Sequence, residues 1–185
     1  MRSFEFARKI EDGVVQESKA FPDAQLPEYQ TAHSAGADFF CAEDITIPSI
    51  WKSVFKSVNT ISKTLKDRDL CENVNPTLVH TGVKADMEDD EVLEIFTRSS
   101  NPKKLGLVLA NSVGIIDSDY YSNPDNDGEI MFAFYNFKPW DVTIHAGDRI
   151  GQGIFKKFLR PTTGLRVKDE TRTGGFGSTG NTDKK

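Results

Sequence analysis

The chain has 185 residues, of which 37% are hydrophobic and 28% charged, with a formal net charge of −5. That is the composition of a globular domain with a core of useful size, and it excludes a disordered chain. The acidic balance argues against a protein that coats nucleic acid, since phosphate neutralisation needs a basic surface; a few placed cations can still hold a small polyanion.

Along the chain, the opening segment MRSFEFARKIEDG carries charges where a signal peptide needs an apolar stretch. No uncharged apolar run is long enough to span a bilayer, so no membrane partner is expected. Cys41 and Cys71 are unclustered, as are His33, His80 and His145. This argues against a zinc site or disulfide framework and suits a reducing compartment, so a cytoplasmic location is expected.

After Pro48 the pattern turns helical. Ile50, Trp51, Val54, Phe55, Val58, Ile61 and Leu65 fall on one face of a helix over Ser49–Lys66, with Lys52, Lys56, Ser57 and Lys63 largely opposite. Such a face ordinarily packs on the body of the domain; the other reading is a surface for a protein partner. Asn75-Pro76 closes the segment. Beyond it the periodicity is two: Leu93–Thr97, Met131–Phe137, Val142–Ile144 and Ile150–Phe158 read as short strands. Turns separate them at Asn123–Gly128, Lys138–Asp141 and His145–Asp148. Many short strands at this spacing predict an all-β sandwich, jelly roll or barrel. Residues 169–185 have too little apolar surface to fold alone and read as a flexible C-terminal arm. The domain is therefore expected over 1–168, with the helical insertion at about 49–75.

Singly, the polar candidates are ordinary: Arg98-Ser99-Ser100 fits a surface turn, and Asp38, Asp117 and Gln152 fit turn or solvent positions. Their order is not ordinary. The chain shows AGADFFCAEDI (35–45), TRSSNPKKLGLVLANSVGIIDSDY (97–120), GEIMFAFYNF (128–137), GDRIGQGIF (147–155) and RTGGFGSTG (172–180). In that order the five segments resemble the signature motifs of the trimeric dUTPases, and Pro76–Ser100 also resembles dUTPases of Gram-positive bacteria and their phages.

The resemblance implies a β jelly roll, a homotrimer with active sites shared between subunits, and Mg²⁺-dependent hydrolysis of dUTP to dUMP and pyrophosphate. It implies Asp117 as the general base that activates the attacking water, Tyr120 as the ring against deoxyribose, and Asn111 near the base and that water. Backbone groups of a hairpin over Gly114–Tyr120, Gly114 and Ile116 among them, would read uracil. Arg98, Ser99, Ser100 and Gln152 would contact phosphate. Asp38 would hold Mg²⁺ through water, which suits an ion that keeps several waters. From the arm, Phe176 and Gly177 would cover uracil while Arg172, Ser178 and Thr179 meet the outer phosphates. Departures are an arm motif one residue short before Phe176, an expanded 121–127 loop, and the insertion itself. The alternatives are a dCTP deaminase-like enzyme, or a regulator on the same scaffold that binds a protein partner through the 49–66 helix.

Overall fold

The computed structural model describes residues 1–54 and 74–163. Its strands, in chain order, are β1 (Ser3–Phe6), β2 (Arg8–Glu11), β3 (Val14–Lys19), β4 (Ala37–Phe40), β5 (Ile45–Ile47), β6 (Thr77–His80) and β7 (Val83–Asp86). They continue with β8 (Glu91–Thr97), β9 (Leu107–Leu109), β10 (Gly114–Asp117), β11 (Met131–Asn136), β12 (Val142–Ile144) and β13 (Arg149–Lys157). The expected all-β class holds. A four-stranded antiparallel layer runs β10-β8-β13-β4, and a three-stranded one runs β6-β11-β9. The pairs β1-β7, β12-β5 and β2-β3 complete the roll.

The core lies between the two larger layers. Leu93 and Ile95 of β8, Phe39 of β4 and Ile150 of β13 share one buried cluster with Phe132 and Phe134 of β11 and Val79 of β6. Phe39 and Phe132 meet with ring centroids 5.6 Å apart, and Phe4 from β1 closes on Phe39 edge-on at 5.3 Å. Burial alternates as a strand demands. On β8, Leu93 and Ile95 are buried, whereas Glu94 and Phe96 are only partly so.

The four strands expected from periodicity form, with ends shifted by no more than two residues. The N-terminal strands are not visible as periodicity, because β2 and β3 are mostly exposed and carry no apolar face. A local signal was present. Asp12-Gly13, with φ of 50° and 75°, makes the tight reversal between them, as an Asp-Gly pair does in a two-residue hairpin loop.

The insertion begins as a helix at residues 50–54. Ser49 caps it, its hydroxyl accepting from the Trp51 N–H at 3.3 Å and donating to the Lys138 carbonyl at 2.6 Å. The half-exposed Trp51 donates its indole N–H to the Phe137 carbonyl, and Lys52 pairs with Asp141 at 2.7 Å. The rest of the helix expected to Lys66 lies outside the described residues, as do Cys71 and the arm. Among the described residues Cys41 is a buried free thiol, and no helix is long and apolar enough to cross a membrane.

One polar cluster ties three parts of the chain together. Asp127, fully buried, ends the expanded 121–127 loop. It accepts from the Arg8 backbone N–H at 2.8 Å, from the Arg8 guanidinium at 3.1 Å, and from Lys84 Nζ at 3.0 Å. Lys84, buried on β7, also donates to Ser122 Oγ and lies beneath the Tyr121 ring. Burial alone would push the Asp127 carboxyl up, but its bonds to Arg8 and Lys84 hold it below the usual range.

Asp127→Ala strands the Lys84 ammonium without its counter-charge. We expect a loss of about 3–5 kcal/mol in urea unfolding, the usual cost of breaking a buried pair from one side. Because the folded pKa lies below the unfolded one, this stabilisation is present above the ordinary carboxylate range and fades as pH falls through the folded value. A variant within about 1 kcal/mol of wild type at pH 7, or one whose stability falls with acid as steeply as wild type, contradicts this account.

Candidate active site

Strand register brings one group of motif residues together. Gln152, midway along β13, lies opposite Asp38 on β4 and Phe96 on β8, and Arg98 follows directly on the end of β8. The Asp38 side chain is only 11% exposed and meets two arginines: Arg149 Nη1 at 3.1 Å and Arg98 Nε at 3.9 Å. Arg98 also donates to the Arg149 carbonyl at 3.2 Å, and Arg149 to Gln30 Oε1 at 2.8 Å. Ser99 is exposed, and Ser100 opens a single wide helical turn, Asn101–Leu105. Buried Asn101 pins that turn by donating to the Ile150 carbonyl at 2.7 Å.

Beside this group is an open cleft of about 510 Å³, lined by Arg98, Ser100, Lys104, Asp148 and Arg149 among others. Arg98, Lys104 and Arg149 stand against Asp148 in the lining and Asp38 beside it, a balance that stays positive, and guanidinium forks suit phosphate oxygens. The motif strings contained Arg149, Lys104 and Asp148 without giving them roles. Asp38 needs an arginine on each side, and that follows only from the register of β4, β8 and β13.

The glycines around Gln152 answer to packing. A Cβ on Gly151 would stand 1.9 Å from the Phe132 ring, and one on Gly153 would stand 2.7 Å from the Phe39 ring. Gly-Gln-Gly thus leaves room for two core rings on one face while Gln152 faces the other, its amide against Gly36. Gly114 is of the same kind: a Cβ there would meet Ile95 at 2.4 Å.

A second group lies on β10, the edge strand of the same layer. Exposed Asn111 precedes it in the turn from β9, and Ile116 packs partly against the core. Asp117 is exposed at the end of the strand, and a 3₁₀ turn, Ser118–Tyr120, follows. The expected hairpin over Gly114–Tyr120 does not close on itself: β10 pairs with β8, and the chain leaves the turn for β11 in the other layer. An edge strand presents backbone donors and acceptors outward. Tyr120 is 5% exposed. Its hydroxyl donates to the Glu129 carbonyl at 2.9 Å and accepts from Asn126 Nδ2 at 2.8 Å. A cleft of about 450 Å³ here is lined by Asp89, Glu91, Asp117, Ser118, Asp119 and Arg160 among others.

The two groups sit at opposite ends of β8. Asp117 is level with Val92 and Gln152 with Phe96, roughly 13 Å along the strand at about 3.3 Å per residue. One copy of the described chain therefore has an arginine end and an acid end, and does not bring them together. Arg172, Phe176, Gly177, Ser178 and Thr179 lie outside the described residues. No group of three or more His, Cys, Asp or Glu side chains among the described residues could hold a metal ion.

The sequence model of the dUTPase family matches residues 63–180. This chain belongs to the dUTPase family. It is 42% identical over 156 residues to the deoxyuridine 5'-triphosphate nucleotidohydrolase of Lactococcus lactis, covering 84% of this chain and 87% of that protein. It is 32% identical over 165 residues to the same-named protein of Wolinella succinogenes, covering 88% and 91%. The crystal structure of the Streptococcus mutans dUTPase superposes with a TM-score of 0.63 at 36% identity, over 86% of this chain and 98% of that one. A dUTPase from phage phi11 of S. aureus, described as showing a species-specific insert, superposes at 0.60 over 92% and 97%. At 15% identity that last likeness speaks for the fold.

In this dUTPase-family chain the packing role of Gly151 can be told from a ligand role by experiment. Gly151→Ala drives a methyl into the Phe132 ring and should cost about 1–3 kcal/mol, the usual range for overpacking. Thermal unfolding should fall while the KM of the folded enzyme for its triphosphate stays within about twofold. Unchanged stability with a large rise in KM would assign the glycine to the ligand.

Proposed function

We propose that the chain hydrolyses dUTP to dUMP and pyrophosphate, and that it does so as a homotrimer with shared sites. The observation that carries this is identity of 42% across 84% of the chain to a deoxyuridine 5'-triphosphate nucleotidohydrolase, with all five motifs present. The cationic cleft and the Asp117 edge are complementary halves at opposite ends of one layer, and this supports a site completed by a second copy.

In this reading the α-phosphorus stands between the two halves. Asp117 takes a proton from water as the oxygen attacks α-phosphorus, and the bond to the α–β bridging oxygen breaks, releasing pyrophosphate. A carboxylate can both accept the proton and orient the water. Arg98, Ser99, Ser100 and Gln152 hold phosphate oxygens, with Ser99 at the bridge. Fixed donors there offset charge that grows on the leaving group. The outward edge of β10, at Gly114 and Ile116, meets uracil beside Asn111, and Tyr120 walls off a 2′-hydroxyl. From the arm, Phe176 and Gly177 cover the base, and Arg172, Ser178 and Thr179 meet the outer phosphates.

Mg²⁺ fits as an ion brought by the triphosphate. Asp38 is a single carboxylate already against two arginines, which suits an ion held through water better than a bare one. When bound, that ion would add charge neutralisation at the phosphates. A phage phi11 dUTPase variant has been described with a structural Mg(II) ion. The cytoplasm is the proposed location.

Asp117→Asn should lower kcat by at least about a hundredfold, the low end for a lost general base. It should still bind a non-hydrolysable dUTP analogue and run at about three times the 20.6 kDa chain mass in light scattering. Near-normal turnover would remove Asp117 from the mechanism, and a fully active monomer would remove the shared site.

A further inference from the structure

Three residues after Asp117, the chain departs into an expanded loop whose polar side chains turn inward onto Tyr120. Asn123, buried, donates from Nδ2 to the Tyr120 carbonyl at 3.0 Å and to Asn126 Oδ1 at 2.8 Å. Its Oδ1 accepts from the backbone N–H groups of Asp125 and Asn126. Asn126 then spends its own amide on the ring: Nδ2 donates to the Tyr120 hydroxyl at 2.8 Å and to the Glu129 carbonyl at 3.2 Å. The hydroxyl, with one proton to give, gives it to that same carbonyl at 2.9 Å.

Both ends of the loop are clamped to the body. Asp127 is held by Lys84 and Arg8. The Glu129 carboxylate accepts from the Gly82 N–H at 2.9 Å and meets His80 Nδ1 at 3.0 Å. Loop motion therefore cannot relax the Tyr120 ring without breaking buried polar contacts, which are costly to leave unmade.

We infer that Asn126 is a positioning residue for sugar selection: through the Tyr120 hydroxyl it sets the angle at which the ring meets the ribose edge. The inference rests on the sugar-selecting role proposed for Tyr120. A ring rejects one extra oxygen atom by its position, so a small rotation admits what a fixed ring excludes. The phenol is fixed by one accepted and one donated bond, and Asn126 supplies the former while bracing the carbonyl that takes the latter. The residues proposed for the phosphate chemistry include neither Asn126 nor any other residue of the expansion.

The measurement is kcat/KM for dUTP divided by kcat/KM for UTP in the full-length enzyme, with trimer mass checked for each variant. Asn126→Ala and Tyr120→Phe should each lower this ratio by about three- to tenfold, the worth of one buried hydrogen bond. The double variant should fall no further than the single ones, because both remove the same link. Mere destabilisation lowers the active fraction equally for both substrates and leaves the ratio unchanged. Should Asn126→Ala fail to fold, Asn126→Asp keeps the acceptor for Asn123 but cannot donate to the phenol, and Tyr120→Phe leaves the loop amides intact. A wild-type ratio in Asn126→Asp, Asn126→Ala and Tyr120→Phe, with a collapsed ratio in Tyr120→Ala, overturns the positioning role alone. A wild-type ratio in Tyr120→Ala overturns the role of the ring, and the inference falls with it.

Discussion

Two core rings, Phe132 and Phe39, occupy the space where side chains at positions 151 and 153 would stand. This contact sets how closely the β11 layer can approach β13. Because strand side chains alternate, two inward glycines force Gln152 to the opposite face. There it lies level with Asp38 and Phe96. Close packing of the interior and placement of the polar face are thus one constraint, and a bulkier residue at either glycine would disturb both.

The same layer separates charge along its length. Arg98, Arg149 and Lys104 gather at one end, the two arginines on the buried carboxylate of Asp38, and Asp89, Glu91, Asp117 and Asp119 at the other. In the proposed reaction each end supplies half of what phosphoryl transfer requires, the arginine end for the phosphates and the acid end for water. Strand length keeps them apart within one copy, because β8 is seven residues long and straight hydrogen-bonding to both neighbours prevents it from folding back. The shared site proposed above would bring an arginine end and an acid end together without any change of fold.

The third feature is the buried charge under the expanded loop. A long connection between two layers is ordinarily the mobile part of a β roll. Here Asp127, Lys84 and Arg8 hold its end, and Asn123 and Asn126 hold its middle. The described side chains leave no buried polar atom without a partner. Such a network favours one geometry over many, since each broken bond strands a desolvated group.

The sequence by itself determined the β class, four of the strands and the turns between them, through period-two burial and the residues that tolerate tight reversal. It also determined the family, because five motifs in order carry more information than any one of their residues. The charged ribbon β2–β3 was not legible from periodicity, since strands without a buried face have no alternation to show. Likewise, no spacing rule says that Arg149 should meet Asp38 across 111 positions of chain, or that Asn126 should turn its amide onto Tyr120. Those contacts depend on register between strands distant in sequence and on which buried polar groups need partners. Candidate residues could therefore be named from their motifs, but their grouping into two separated halves was decided by the tertiary structure, where the pairing of β8 with β10 and β13 sets the distance between them.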